Sequence, residues 1–152
     1  YVVEASRDLP LGIYVMLPSC VPATDLETTG ARLTSSDMAL FLEEERVLGV
    51  GEMMNFPGVL GLDEEVMRKL QIGQKKRIDG HAPLLTGKDL SAYVGAGIRS
   101  DHECTTFDEA MEKLRAGMHV MIREGSIAKN MEALLPVLSA GNTRRCMFVT
   151  DD

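Results

Sequence analysis

The sequence predicts an α/β fold built on parallel strands, and two patterns carry that expectation. Short apolar, β-rich runs alternate with longer stretches of helical periodicity along the whole chain. Successive strands begin about 20 to 35 residues apart, room enough for a crossover between parallel neighbours. An open doubly wound sheet and part of an eight-stranded barrel both fit. No GxGxxG or GxxxxGKS/T follows any strand, which removes support for the dinucleotide and P-loop uses of an open sheet.

The first strand is expected over 12–17 (GIYVML), stopped by Pro18, whose missing N–H and restricted predecessor disfavour continuation. Ser35 or Ser36 can cap a helix running to about Glu45, with Met38, Leu40, Phe41 and Leu42 as its apolar residues. VLGVG at 47–51 is the second strand. Asp63 starts the next helix, which carries Val66, Met67, Leu70 and Ile72 at helical spacing and ends at Gly73. A third strand follows at about 76–80, a helix at 86–95 and a short fourth strand at 97–100. Thr106 caps a helix with Ala110, Met111 and Leu114 inward, closed by Gly117. HVMIR at 119–123 is the fifth strand, 127–138 a helix, and CMFVT at 146–150 the sixth strand.

Composition narrows the classes of function. Apolar residues make up 45% and charged residues 26% of 152 residues, ordinary values for a folded chain that buries its own core. A net charge of −7, with no basic run longer than Lys75-Lys76-Arg77, argues against a nucleic-acid partner. No apolar stretch approaches the length of a membrane span, and the N-terminus lacks a secretory pattern. Cys20, Cys104 and Cys146 are an odd number without CxxC spacing, which suits reduced thiols and a cytoplasmic location.

Chemistry-bearing residues gather where the strands end. Glu52 closes the second strand, Asp79 and His81 the third, Asp101, His102 and Glu103 the fourth, and Asp151 and Asp152 the sixth. In parallel barrels that face carries the site. Histidine with carboxylate suits zinc, iron or manganese, and a carboxylate beside such an ion can take a proton from water and return it to a leaving group. Each residue also has a plain reading: Glu52 bonded to a loop N–H, His81 a loop cap, His102 part of a solvated turn, Asp151-Asp152 a helix cap. Joint placement at four strand ends favours the site. His119, at the start of its strand, is assigned to structure. No HExxH, GxSxG or HxE with PCxxC is present.

GEMMNFPGVL (51–60), DGHAPLLTGKDLSAYVGAGIRSDHECTT (79–106), VMIREGS (120–126) and VTDD (149–152), preceded by LPSCVPAT (17–24), resemble the adenine deaminases of the amidohydrolase superfamily. The resemblance implies a (β/α)8 barrel with two divalent metal ions (manganese, iron or zinc) that converts adenine and water to hypoxanthine and ammonia. It also implies a homo-oligomer in the full-length enzyme. By the same resemblance Glu52 is the carboxylate bridging the metals, and His81 and His102 are ligands. Asp151 binds metal and shuttles protons, a role that Asp152 could exchange with it. Glu103 would contact the purine or relay a proton to its ring; Arg123, Glu124 and Ser126 are either substrate-side contacts or a salt-bridged loop.

The chain departs from the family at one point. The His-x-His pair after the first barrel strand is absent, since His81, His102 and His119 are the only histidines. By strand count, residues 1–152 correspond to the third through eighth strands, without the first two βα units, the eighth helix and the flanking sheet domain. The start at Tyr1 and the stop directly after an apolar run agree with a piece of a longer protein. Two other readings stay open: an amidohydrolase acting on another cyclic amide or amidine, and a fragment without activity of its own.

Overall fold

A computed structural model describes residues 1–139 and 141–152. Its elements, in chain order, are α1 (Val2–Ala5), β1 (Val15–Leu17), α2 (Ser35–Leu42), β2 (Val47–Met53), α3 (Phe56–Leu60), α4 (Glu64–Gly73), β3 (Arg77–Gly80), α5 (Gly87–Gly95), β4 (Ser100–Asp101), α6 (Phe107–Arg115), β5 (His119–Arg123), α7 (Met131–Ser139) and β6 (Cys146–Val149). A single 3-10 turn, Thr143–Arg145, precedes β6.

All strand pairs are parallel, as the alternation predicts. They form two three-stranded sheets, β1-β2-β3 and β4-β5-β6, rather than a closed barrel. The sheets meet where the Arg99 N–H donates to the Ile78 carbonyl at 3.0 Å, at the seam between β3 and β4. Gly80 is required at that seam: a Cβ there would lie 2.4 Å from the Ser100 carbonyl oxygen and 2.7 Å from Ile98. Only a residue without a side chain lets the strands approach so closely.

Local signals set the helix starts. Thr34, not Ser35 or Ser36, caps α2 through a reciprocal capping box with Asp37, which satisfies two free N–H groups at once. Asp63 accepts from the Val66 N–H to start α4, and Thr106 accepts from the Glu109 N–H to start α6. Gly117, at φ +93°, provides the left-handed turn out of α6.

Two apolar clusters result. One joins β1–β3 to α2, α4 and α5 through Met38, Val50, Leu70, Ile78, Leu90 and Tyr93. The other joins β5 to α6 and α7 through Ala110, Leu114, Val120, Ile122, Leu134 and Val137. Helices therefore cover the sheets while the strand ends stay free to present polar side chains. Among the described residues no helix is long and apolar enough to cross a membrane.

Candidate metal centre

Because the strands are parallel, their C-terminal ends share one side, and three side chains converge there. Glu52, near the end of β2, faces His81, one residue beyond β3, and His102, one residue beyond β4. Glu52 Oε2 lies 2.8 Å from His81 Nδ1 and 3.0 Å from His102 Nε2, and the two imidazole nitrogens are 3.2 Å apart. The rings meet edge to face, with centroids 5.1 Å apart.

This donor set fits a divalent ion. With metal–ligand bonds of about 2.1 Å, adjacent octahedral ligands stand about 3.0 Å apart, the square root of two times the bond length. The three observed separations bracket that value. One carboxylate and two imidazoles are also the ligand types that suit zinc, iron and manganese. Hydrogen bonds from His102 and then His81 hold the Glu52 carboxyl down at about 2, against the effect of its burial. Burial disfavours a charged His102, but the Glu52 carboxylate, joined by Asp151 and Asp101, outweighs it and raises the pKa of the imidazole.

A second group adjoins the first. Ligand atoms of His102, Glu103 and Asp151 lie within 4.8 Å of one another. Arg123, the last residue of β5, organises them: its guanidinium donates to both Glu103 oxygens and, through Nη1, to Asp151 Oδ2 at 2.8 Å. The fork geometry of arginine suits two carboxylates better than an ammonium would. Arg123 is 9% exposed, and its Nε is buried without a partner among the described residues. Glu103 Oε1 stands 3.6 Å from His81 Nδ1 and 3.5 Å from His102 Nε2, so Glu103 connects the two groups.

The paired aspartates separate. Asp151 takes φ +61°, a left-handed conformation that aspartate tolerates, and turns to Arg123. Asp152 instead accepts the Ser126 N–H at 2.9 Å and the Ser126 hydroxyl at 3.0 Å. Ser126 is thus engaged away from the imidazoles, and Glu124 accepts the Met131 N–H at the start of α7. Asp79 accepts the Ser100 hydroxyl at 2.7 Å, and Asp101 is fully buried on a lysine, so neither joins the cluster. His119 sits at the opposite end of β5, where its N–H continues the ladder to Arg99. A concavity of about 350 Å³ opens over the cluster, lined by Met16, Pro18, Ser19, Glu52, Asp79, His102, Met121 and Asp151 among others.

Two supporting residues were not singled out from the sequence. Tyr93 of α5 donates to the Met53 carbonyl at 2.8 Å and accepts the His81 N–H at 3.1 Å. Lys113 of α6 is fully buried against Asp101 and Glu109. A pairing of Glu109 with Lys113 is visible as an i,i+4 spacing, but that spacing commonly marks a solvated helix face.

The amidohydrolase family profile matches residues 2–152. Adenine deaminase 2 of Carboxydothermus hydrogenoformans and adenine deaminase of Dehalococcoides mccartyi are each 55% identical over all 152 residues, and adenine deaminase of Desulfatibacillum aliphaticivorans is 52% identical over the whole chain. The chain spans 27% of the length of each of these relatives. With six parallel strands and a family match across its length, the chain belongs to the amidohydrolase family.

Proposed function

We propose that the protein carrying this chain is a metal-dependent adenine deaminase, converting adenine and water to hypoxanthine and ammonia. The observation that carries this reading is the convergence of Glu52, His81 and His102 at adjacent strand ends, in a chain 55% identical to proteins named for that activity. The six parallel strands and the bond across the β3–β4 seam support their place as the third through eighth strands of a (β/α)8 barrel. The three free cysteines suit a cytoplasmic enzyme.

Glu52, His81 and His102 lie close enough together that they would hold one of two divalent ions, and Asp151, grouped with His102 and Glu103, would be a further ligand. Bound manganese, iron or zinc supplies Lewis acidity that brings the pKa of water toward neutrality. In the reaction a C6–O bond forms and the C6–N bond to the amino group breaks. Asp151 receives the proton from the attacking water and returns it to the departing ammonia. Glu103, held at both oxygens by Arg123 and beside the two imidazoles, would relay a proton to the purine ring. Arg123 holds the Glu103 and Asp151 carboxylates together, and Asp151 lines the concavity, which supports an orienting role for Arg123 on the substrate side. Ser126 and Glu124 support the adjoining loop.

Stripping the full-length protein with a chelator and adding back manganese, iron or zinc tests this reading. Adenine conversion, followed by absorbance, is expected to disappear and return, and Glu52→Gln is expected to bind metal about tenfold or more weakly. Full turnover after chelation, or none of adenine with any of the three metals, would refute it.

A further inference from the structure

Among the described residues Lys113 is the largest charged side chain that is fully enclosed, buried on α6, and its surroundings account for its charge. Its ammonium donates to Asp101 Oδ2 at 2.9 Å, to Glu109 Oε1 at 2.8 Å and to the Ala82 carbonyl at 2.7 Å. Asp101, Cys104 and Glu109 lie close enough together to hold a cation, and the ammonium is that cation. Burial works against the charge of both partners, but their attraction prevails: the Asp101 carboxyl lies below its usual range and the Lys113 ammonium above its own.

The remaining bonds of this cluster all end on two loops. Asp101 accepts the Ala82 N–H at 2.8 Å and the Glu103 N–H at 3.0 Å. Glu109 accepts the Leu84 N–H at 2.9 Å and the Thr105 N–H at 3.1 Å. Ala82 follows His81 directly, and Asp101 and Glu103 flank His102. One buried lysine thus ties the loop carrying His81 to the loop carrying His102, and both to one helix.

Buried ion clusters add little net stability compared with apolar packing of the same volume, so their use is better sought in what they hold in register. We infer that the Lys113–Asp101–Glu109 cluster is a positioning device that sets the separation of His81 and His102 for a metal ion. The inference rests on the metal-binding reading of the cluster above. Lys113 touches neither imidazole, so its effect on metal passes through the backbone of the two loops.

Equilibrium binding of manganese or zinc to the metal-free full-length protein tests this directly, alongside histidine ring resonances by NMR. Lys113→Met keeps the length of the side chain and removes the charge; metal affinity is expected to fall about 10- to 100-fold, the range found when groups that orient ligands are lost. Glu109→Gln leaves the lysine in place, retains one acceptor and is expected to weaken binding by a smaller factor in the same direction. Leu134→Ala, on α7 in the apolar cluster that α6 shares, is the control for simple destabilisation: it loosens the packing of α6 without touching the ion cluster and should leave metal affinity and the His81 and His102 resonances unchanged. Should Lys113→Met not fold, Glu109→Gln decides alone.

Wild-type affinity in a folded Lys113→Met or Glu109→Gln protein overturns the positioning role while leaving the metal site standing. Loss of affinity in Leu134→Ala equal to that in Lys113→Met also overturns it, because the effect would then follow stability. Failure of the unaltered protein to bind either metal overturns the underlying functional reading as well.

Discussion

Replacing Tyr93 by phenylalanine removes one oxygen and leaves the ring that fills the core of the β1–β3 sheet. The tyrosine is fully buried, and burial pushes its pKa far up, so the hydroxyl keeps its proton and donates to the Met53 carbonyl while accepting the His81 N–H. Those two backbone groups lie next to Glu52 and at His81, on neighbouring strand ends. A buried hydrogen bond contributes about 1 kcal/mol net, and more when its partner is left dry, so losing both costs about 2 kcal/mol. At 1.4 kcal/mol per tenfold, that opens the β2 and β3 ends roughly 30-fold more often. Hydrogen exchange followed by mass spectrometry on the full-length protein reads this as faster exchange of the amides of β2, β3 and the following loop, with β5 and α7 unaffected. Unchanged protection in β2 and β3 would refute the bridge; equal acceleration everywhere would show that Tyr93 serves global stability and does not join these two strand ends.

Three further outcomes follow from the same geometry. Gly80→Ala places a methyl 2.4 Å from the Ser100 carbonyl, and overpacking of this kind costs about 1 to 3 kcal/mol; thermal unfolding should report a lower midpoint, with no shift ruling out the tight β3–β4 seam. Hydrogen bonds from the Thr34 side chain and backbone lower the Asp37 carboxyl, so its stabilising effect on α2 is fully present above the ordinary value of 3.8 and is lost as pH falls through the lower folded value. Protection factors of the α2 amides, with intrinsic exchange divided out, should therefore fall at the acid end in the native sequence but show no such fall in Asp37→Asn. Arg123→Lys keeps the charge and loses the fork that reaches Glu103 and Asp151 together, so under the proposed function kcat of the full-length protein for adenine should drop roughly tenfold or more; an unchanged kcat would remove Arg123 from the orienting role.

Helices and strands were legible where the signal was local. Asp63 and Thr106 start their helices as caps, and the strand expected at 119–123 has those bounds. Misses fall where a longer-range constraint competes. The first strand is only Val15–Leu17, because pairing begins where Val47 is opposite. The fourth is Ser100–Asp101 and not 97–100, since Gly97 has φ +104° and turns the chain before the ladder resumes. Residues 127–130, expected in a helix, are held by bonds from Gly125 to Ala128 and from Asn130 to Arg123, which delay α7 to Met131. The short α3 has Asn55 as its cap and Pro57 in its first turn, yet proline and glycine in FPGVL read as loop residues.

By itself the sequence determined the parallel α/β pattern and put carboxylates and imidazoles at the strand ends, because side-chain period and capping chemistry are written in neighbouring residues. Only the tertiary structure decided which of them meet. It drew Glu52, His81 and His102 to within 3.2 Å, turned Asp151 to Arg123 and Asp152 to Ser126, and buried Asp101 on Lys113. Partners separated by 12 to 33 residues along the chain, such as Asp101 with Lys113 or Cys20 with Met53, are chosen by how sheets and helices pack. A pattern of adjacent residues carries no record of that choice, and the enclosure of the Lys113 charge is a product of packing alone.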